Sequence, residues 1–163
     1  VIDAASFYNR LGFLDSDSLK YAELTTMYSK VGDVEISEAE SNITALIKAY
    51  NVGADQLELA LDKMVFVGNN FAISAAEIGQ GMNNAASSLA ANGNTLEQSI
   101  ALLTAAQIVT QDAAKSSTAL RTISARLTNS KAELDALGES TDDLAGSTAK
   151  YREELLALTG VDI

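Results

Sequence analysis

Cysteine, histidine, tryptophan and proline are all absent from the 163-residue chain. Without cysteine there is no disulfide, no thiolate nucleophile and no thiolate cage for zinc or an iron–sulfur cluster. Without histidine there is no Ser–His catalytic pair and no imidazole-ligated metal. Basic residues are scarce too, 11 against 22 acids, and the net charge of −11 is the reverse of what duplex binding requires. No long apolar run crosses a bilayer: the uncharged stretch Ile78 to Leu96 carries Gln80, Asn83, Asn84, Ser87, Ser88, Asn92 and Asn94. Val1 to Gly12 has neither the basic start nor the apolar stretch of a signal peptide. With no initiator methionine, the chain reads as an excerpt of a longer protein.

What is present is apolar material, 47% of residues, arranged at helical spacing, so the expected fold is all-α. Tyr21, Leu24, Tyr28 and Val31 make the first stripe, with Gly32 after it. Four pairs then mark helix starts: Ser37 with Glu40, Asp55 with Glu58, Ser74 with Glu77, and Thr95 with Gln98. Each sets a short oxygen-bearing side chain three residues ahead of Glu or Gln, so orphan first-turn amides are satisfied from both directions. The stretches that follow agree. Ala39, Ile43, Leu46, Ile47 and Tyr50 form one face, closed by Val52-Gly53. Leu57, Leu61, Met64 and Val65 form the next, stopped by Gly68-Asn69, and Ile78, Met82, Ala85, Ala86 and Leu89 another, stopped by Asn92-Gly93. Leu96, Ile100 and Leu103 continue, with Ile108 slightly off the stripe. The expectation is several short capped helices packed as hairpins or a bundle.

The C-terminal third has a different pattern. Ala113, Ser116, Leu120, Ile123, Leu127, Ser130, Leu134 and Leu137 step by alternating threes and fours and predict one longer helix near residues 113–137, ended by Gly138. Leu120, Ile123, Leu127, Leu134 and Leu137 are its packing or partner seam. Two uses of it stand open, packing inside the chain's own bundle or an intermolecular coiled coil with a second copy. The reading divides residues 1–163 into a short-helix module (1–111), the long helix (112–137), a polar linker (138–147) and a last helix (148–160) that carries Tyr151, Leu155 and Leu158.

Signals for chemistry are weak. Gly79-x-Gly81 lacks the strand, third glycine and downstream acid of a dinucleotide fingerprint. Within a helix each glycine costs about 1 kcal/mol relative to alanine, which calls for a packing reason. Gly79, Gly81, Ala85 and Ala86 therefore predict a small-residue face for close helix approach. The carboxylates fall at caps, on solvent faces or in the linker, and no segment follows the calcium-loop pattern. Lys115, Arg121, Arg126 and Lys131 scatter around the long helix and do not line up as a nucleic-acid stripe. No catalytic residue, cofactor or metal site and no specific nucleic-acid partner is expected.

The ordered series Val67-Gly68-Asn69-Asn70-Phe71-Ala72-Ile73-Ser74, Ile78-Gly79, Ser87 to Ala101, Thr118 to Leu127 and Leu158 to Ile163 resembles the core region of tape measure proteins of long-tailed bacteriophages and prophages. Asp33 to Ala39 fits the stretch just upstream of that core. The resemblance implies a structural and assembly protein of the phage tail. Such a protein sets tail length, templates tail tube polymerisation and leaves ahead of the DNA at infection. It implies residence in the tail lumen of the virion, with the host cytoplasm during assembly. Implied partners are itself, tail tube, tail tip and tail assembly proteins, with membrane contact only during infection. The alternative is a membrane-active helical segment that aids genome passage through the host envelope, motivated by the Ala- and Gly-rich stretch from Ala72 to Gln111. A cell-wall hydrolase is a third reading, and no residue matches such a motif.

Overall fold

A computed structural model of the chain describes residues 2–71 and 73–136. Among these residues the fold is all-α, with seven helices and no strand: α1 Ile2–Arg10, α2 Asp15–Gly32, α3 Ile36–Tyr50, α4 Ala54–Asn70, α5 Ala75–Ala91, α6 Leu96–Thr110 and α7 Ala113–Ala136. The expected linker 138–147, the last helix 148–160 and Leu137 lie outside the described residues.

The helices stack as hairpins in two layers. α3, α5 and α7 lie side by side, and α2, α4 and α6 form the facing row. Side-chain bonds advance in step along the first row: Gln80 with Glu38 and Asn83 with Ser41 across α5 and α3, then Asn84 with Ser117 and Asn92 with Ser124 across α5 and α7. These three helices therefore run parallel. α5 occupies the middle, against α3, α4, α6 and α7.

Local chemistry explains where the helices begin. Ser74 Oγ accepts from Glu77 N at 3.1 Å while Glu77 Oε2 accepts from Ser74 N at 2.8 Å. Thr95 and Gln98 repeat the exchange at 3.2 and 2.9 Å. These two expected capping boxes are in place. The other two are corrected: α3 is capped at Glu35 and α4 at Gly53, neither through a side chain, so Ser37 and Asp55 already lie in the first turn. The turns supply the reason. Asp33 and Asn51 take left-handed conformations at φ 51° and 50°, and each is followed by a valine that packs into or against the core, Val34 or Val52. That valine fixes the chain's entry and starts the helix before the sequence pair is reached. Asp55 in the first turn still complements the positive helix end. At the start of α7, Asp112 Oδ1 accepts from Lys115 N at 3.0 Å and caps the helix.

The stops shift likewise. α3 ends at Asn51 and not Gly53, and α4 runs through Gly68 to Asn70. A Cβ on Gly68 would sit 2.9 Å from Ala75 N, so this glycine allows the end of α4 to approach the start of α5. Gly93 has φ 80° and turns α5 into α6 as the sequence pattern anticipates. α1 has no counterpart among the expected helices. It is held by an aromatic cluster in which Tyr8 meets Phe7 edge-on at 5.2 Å and Tyr21 at 5.6 Å. Tyr8 Oη and Thr25 Oγ1 complete the contact at 2.6 Å.

The core runs continuously from Ala4 on α1 to Leu103 on α6, and Leu120 of α7 joins only its rim. At its centre the Tyr28 hydroxyl donates to Ala75 O at 2.9 Å, passing over Gly79, where a Cβ would collide with that hydroxyl and approach Asn42. Gly79→Ala would ordinarily gain about 1 kcal/mol in helix propensity. Here the overpacking reverses the sign, and a net loss of roughly 1–3 kcal/mol is expected in urea denaturation. Repeating the substitution in a Tyr28→Phe background, where the hydroxyl is gone, should shrink the loss. A stabilised Gly79→Ala protein would show that the glycine is not there to admit Tyr28.

Candidate functional site

The structure divides the expected site residues into a buried set and a rim set. Gly79, Gly81, Ala85 and Ala86 are all buried on α5. They do not share one outward surface. Gly79 faces Tyr28 and Asn42, while Gly81 faces the Leu103 side chain of α6 on another side. The small-residue helix is thus occupied by its own neighbours, and a dinucleotide loop at Gly79-x-Gly81 is ruled out because both glycines sit within a continuous helix.

The seam on α7 is only partly turned inward. Ala113, Ser116, Ser117 and Ser124 are buried, Leu120 and Leu127 are half-buried, and Ile123 is 55% exposed. Ile123 therefore departs from the inward seam that an internal long helix requires. The inward stripe runs Ala113, Ser117, Leu120, Ser124 and Leu127, in steps of four, three, four and three, so Ser124 takes the inward place expected for Ile123. Leu134 belongs to the helix, but its surroundings are outside what the structure describes. Hydroxyls and amides carry much of the α5–α7 contact: Asn92 Nδ2 donates to Ser124 O at 2.9 Å, and Asn84 Nδ2 to Ser117 Oγ at 3.4 Å. The sequence pattern missed this polar seam because serine at a helix–helix interface looks the same as serine on a solvent face.

α6 also differs from its expected stripe. Gln107 is buried and Ile108 is 45% exposed. Its outer side carries Leu102 and Val109, the latter 83% exposed. α4 likewise shows Leu59 and Phe66 to solvent, with Phe71 just beyond its end. Lys63 and Glu97 join α4 to α6 at 3.2 Å on the surface. The backbone amide of Glu97 itself, and then the bond to Lys63, hold the Glu97 carboxyl below its ordinary range.

A cleft of about 330 Å³ lies between α2 and the start of α4, lined by Asp17, Lys20, Tyr21, Gly53, Ala54, Asp55 and Gln56. Of its two carboxylates, Asp17 is half-buried and Asp55 exposed. Among the described residues no group of three or more acids could hold a metal ion. Glu40 is raised by burial, opposed by nearby Arg10. Lys115, Arg121 and Arg126 all lie on the outside of α7, with Lys115 bound to Asp112 at 3.0 Å.

The geometry is that of a contact-making helical stack. Residues 1–159 match the sequence model of the phage-related minor tail protein family. The chain belongs to this family. A structural place in a phage tail follows from that membership, and helix packing accounts for most of the singled-out residues of this minor tail protein. No solved structure matches the chain. Among the described residues no helix is long and apolar enough to cross a membrane.

The buried tyrosines make the stability of this minor tail protein pH-dependent. Burial pushes Tyr8 and Tyr28 up to about 12 from 10.0, and Tyr21 and Tyr50 are raised by burial as well. The folded state thus keeps protons that the unfolded chain releases near pH 10. That stabilisation is complete below pH 10 and is lost as pH climbs toward 12. Thermal melts followed by circular dichroism should fall steeply above pH 10, and Tyr28→Phe should flatten part of the slope. An unchanged slope would mean that Tyr28 does not carry the linkage.

Proposed function

We propose that this chain is a non-catalytic assembly module of a tape measure protein, working through helix contacts with itself and with tail tube, tail tip and tail assembly proteins. The observation that carries the reading is the match to the minor tail family over residues 1–159. The tape-measure resemblance of Val67 to Ala101 and Thr118 to Leu127 refines it. The module works in the tail lumen of the virion after assembly in the host cytoplasm.

Compactness decides which part of the job the segment does. A ruler of continuous helix contributes about 1.5 Å per residue. This chain instead turns back at Gly12, Asp33, Asn51, Gly93 and Gln111, each with positive φ. Folded this way it spans far less than its extended length, so the measuring stretch belongs elsewhere in the parent protein and this module docks or initiates. The membrane-active alternative would draw on the apolar outer side of α6, but α6 carries no lysine or arginine to meet anionic headgroups.

An in-frame deletion of the segment from the parent gene, scored by electron microscopy, tests the assignment. Loss of tails, with any residual tails at parental length, is the expected result. Tails shortened by roughly 245 Å, the length of 163 residues as straight helix, would make the segment part of the ruler itself.

A further inference from the structure

Asn92 is the one asparagine of the chain that precedes a glycine, and the pair sits in the turn from α5 to α6. Glycine has no Cβ to shield its amide, so in an Asn-Gly pair the backbone nitrogen can reach the asparagine side chain. The reaction needs only water. Gly93 N forms a bond to Asn92 Cγ, the Cγ–Nδ2 bond breaks, and the amide proton leaves with Nδ2 as ammonia. Water then opens the cyclic imide. Cleavage at Cγ gives aspartate, and cleavage at the main-chain carbonyl gives isoaspartate, in which the backbone runs through Cγ and gains a methylene.

In the folded chain both reacting groups are engaged. Gly93 N donates to Ala90 O at 2.9 Å. Asn92 Nδ2 donates to Ser88 O at 2.8 Å and to Ser124 O at 2.9 Å, and Thr128 Oγ1 donates to Asn92 Oδ1 at 3.4 Å. The leaving amide is thus the group that ties the end of α5 to the middle of α7. Ring closure requires the side chain to swing from these carbonyls onto its own backbone while the turn at Gly93, φ 80°, opens. The product cannot return to the same place. A carboxylate has no N–H to give, and its charge would face the two carbonyl oxygens that Nδ2 now serves. It would also stand at the negative end of the α5 dipole, whose last turn holds no basic residue. Isoaspartate disturbs the turn further, because Asn94 N and Nδ2 both reach back across it to Leu89 O.

We propose that Asn92-Gly93 is a site of spontaneous covalent modification, closed to reaction while Asn92 holds α7 and opened by local unfolding of the α5–α6 turn, and that its product irreversibly loosens the second half of α7 from α5. Contacts nearer the start of α7, Asn84 with Ser117 and the buried Ala113 and Ser116, stay in place. The site is independent of the partners named above. Any chain that opens at this turn becomes marked, and its longest described helix loses an anchor.

Guanidinium-unfolded and native samples of the 163-residue chain, held at the same mildly alkaline pH, test the gating by peptide mass mapping and isoaspartate labelling. In the unfolded sample Asn92 should be modified before any other asparagine. In the native sample its rate should fall by the factor that hydrogen exchange gives for protection of the Gly93 amide, since one opening exposes both. Asn92→Asp supplies the product with a normal backbone. Its α7 amides from Leu120 onward should exchange faster than the parent's, through an opening that leaves central α5 protected. The difference should shrink below about pH 4, where the carboxyl regains a donor. Equal rates in the two samples, a different asparagine modified first in the unfolded chain, or α7 exchange unchanged by Asn92→Asp would each overturn the proposal.

Discussion

A tyrosine hydroxyl passing over a glycine sets the geometry of this fold. Tyr28 reaches the Ala75 carbonyl because Gly79 has no side chain to stop it. Two residues along, on another side of the helix, Gly81 admits Leu103 from α6 in the same way. These two absences thin α5 on separate sides, so it can sit in the middle of the stack with α3, α4, α6 and α7 close around it. Asn83 then reaches Ser41 and Asn42 on α3, and Asn84 and Asn92 reach α7. The helix propensity sacrificed at two glycines is offset by burial of large side chains of the facing helices, Tyr28 and Leu103.

Central placement of α5 also explains why stability is unevenly distributed. The continuous apolar core spans α1 to α6, whereas α7 joins through serines, an asparagine-to-carbonyl bond and Leu120 at the rim. The longest helix in the described residues is therefore among the least well buried. In a protein whose proposed work is docking to others, that asymmetry leaves an apolar scaffold and one arm laid along α5 through a largely polar seam. The small-residue face is already filled from within, so partner contacts fall to the exposed residues of α4, α6 and α7.

Much of this was legible in the sequence, and the misses have identifiable causes. The absence of proline and the apolar period pointed to helices, and Ser74–Glu77 and Thr95–Gln98 marked two starts to the residue, because a capping box is a local interaction that needs no tertiary support. Ser37–Glu40 and Asp55–Glu58 fit the same pattern and failed, since Val34 and Val52 entering or edging the core determine where the chain turns. α1 went unseen because its nine residues depend on an aromatic cluster assembled across α2. The packing reason for Gly79 could be anticipated from its propensity cost. Its partner, Tyr28, 51 positions earlier, could not. Ile123 and Gln107 exchanged their expected places with Ser124 and Ile108 because the inner faces of α6 and α7 follow α5, and a period read from one helix carries no information about its neighbour.

If α5 is the element around which the rest is organised, its amides should be the last to open. Native-state hydrogen exchange measured residue by residue is the most direct test. Amides in the middle of α5, around Gly79 to Ala86, should exchange only through global unfolding, while those of α7 exchange through a smaller opening that leaves α1 to α6 intact. Exchange in α5 as fast as in α7, at a free energy below that of global unfolding, would contradict the central place given to the Tyr28–Gly79 contact.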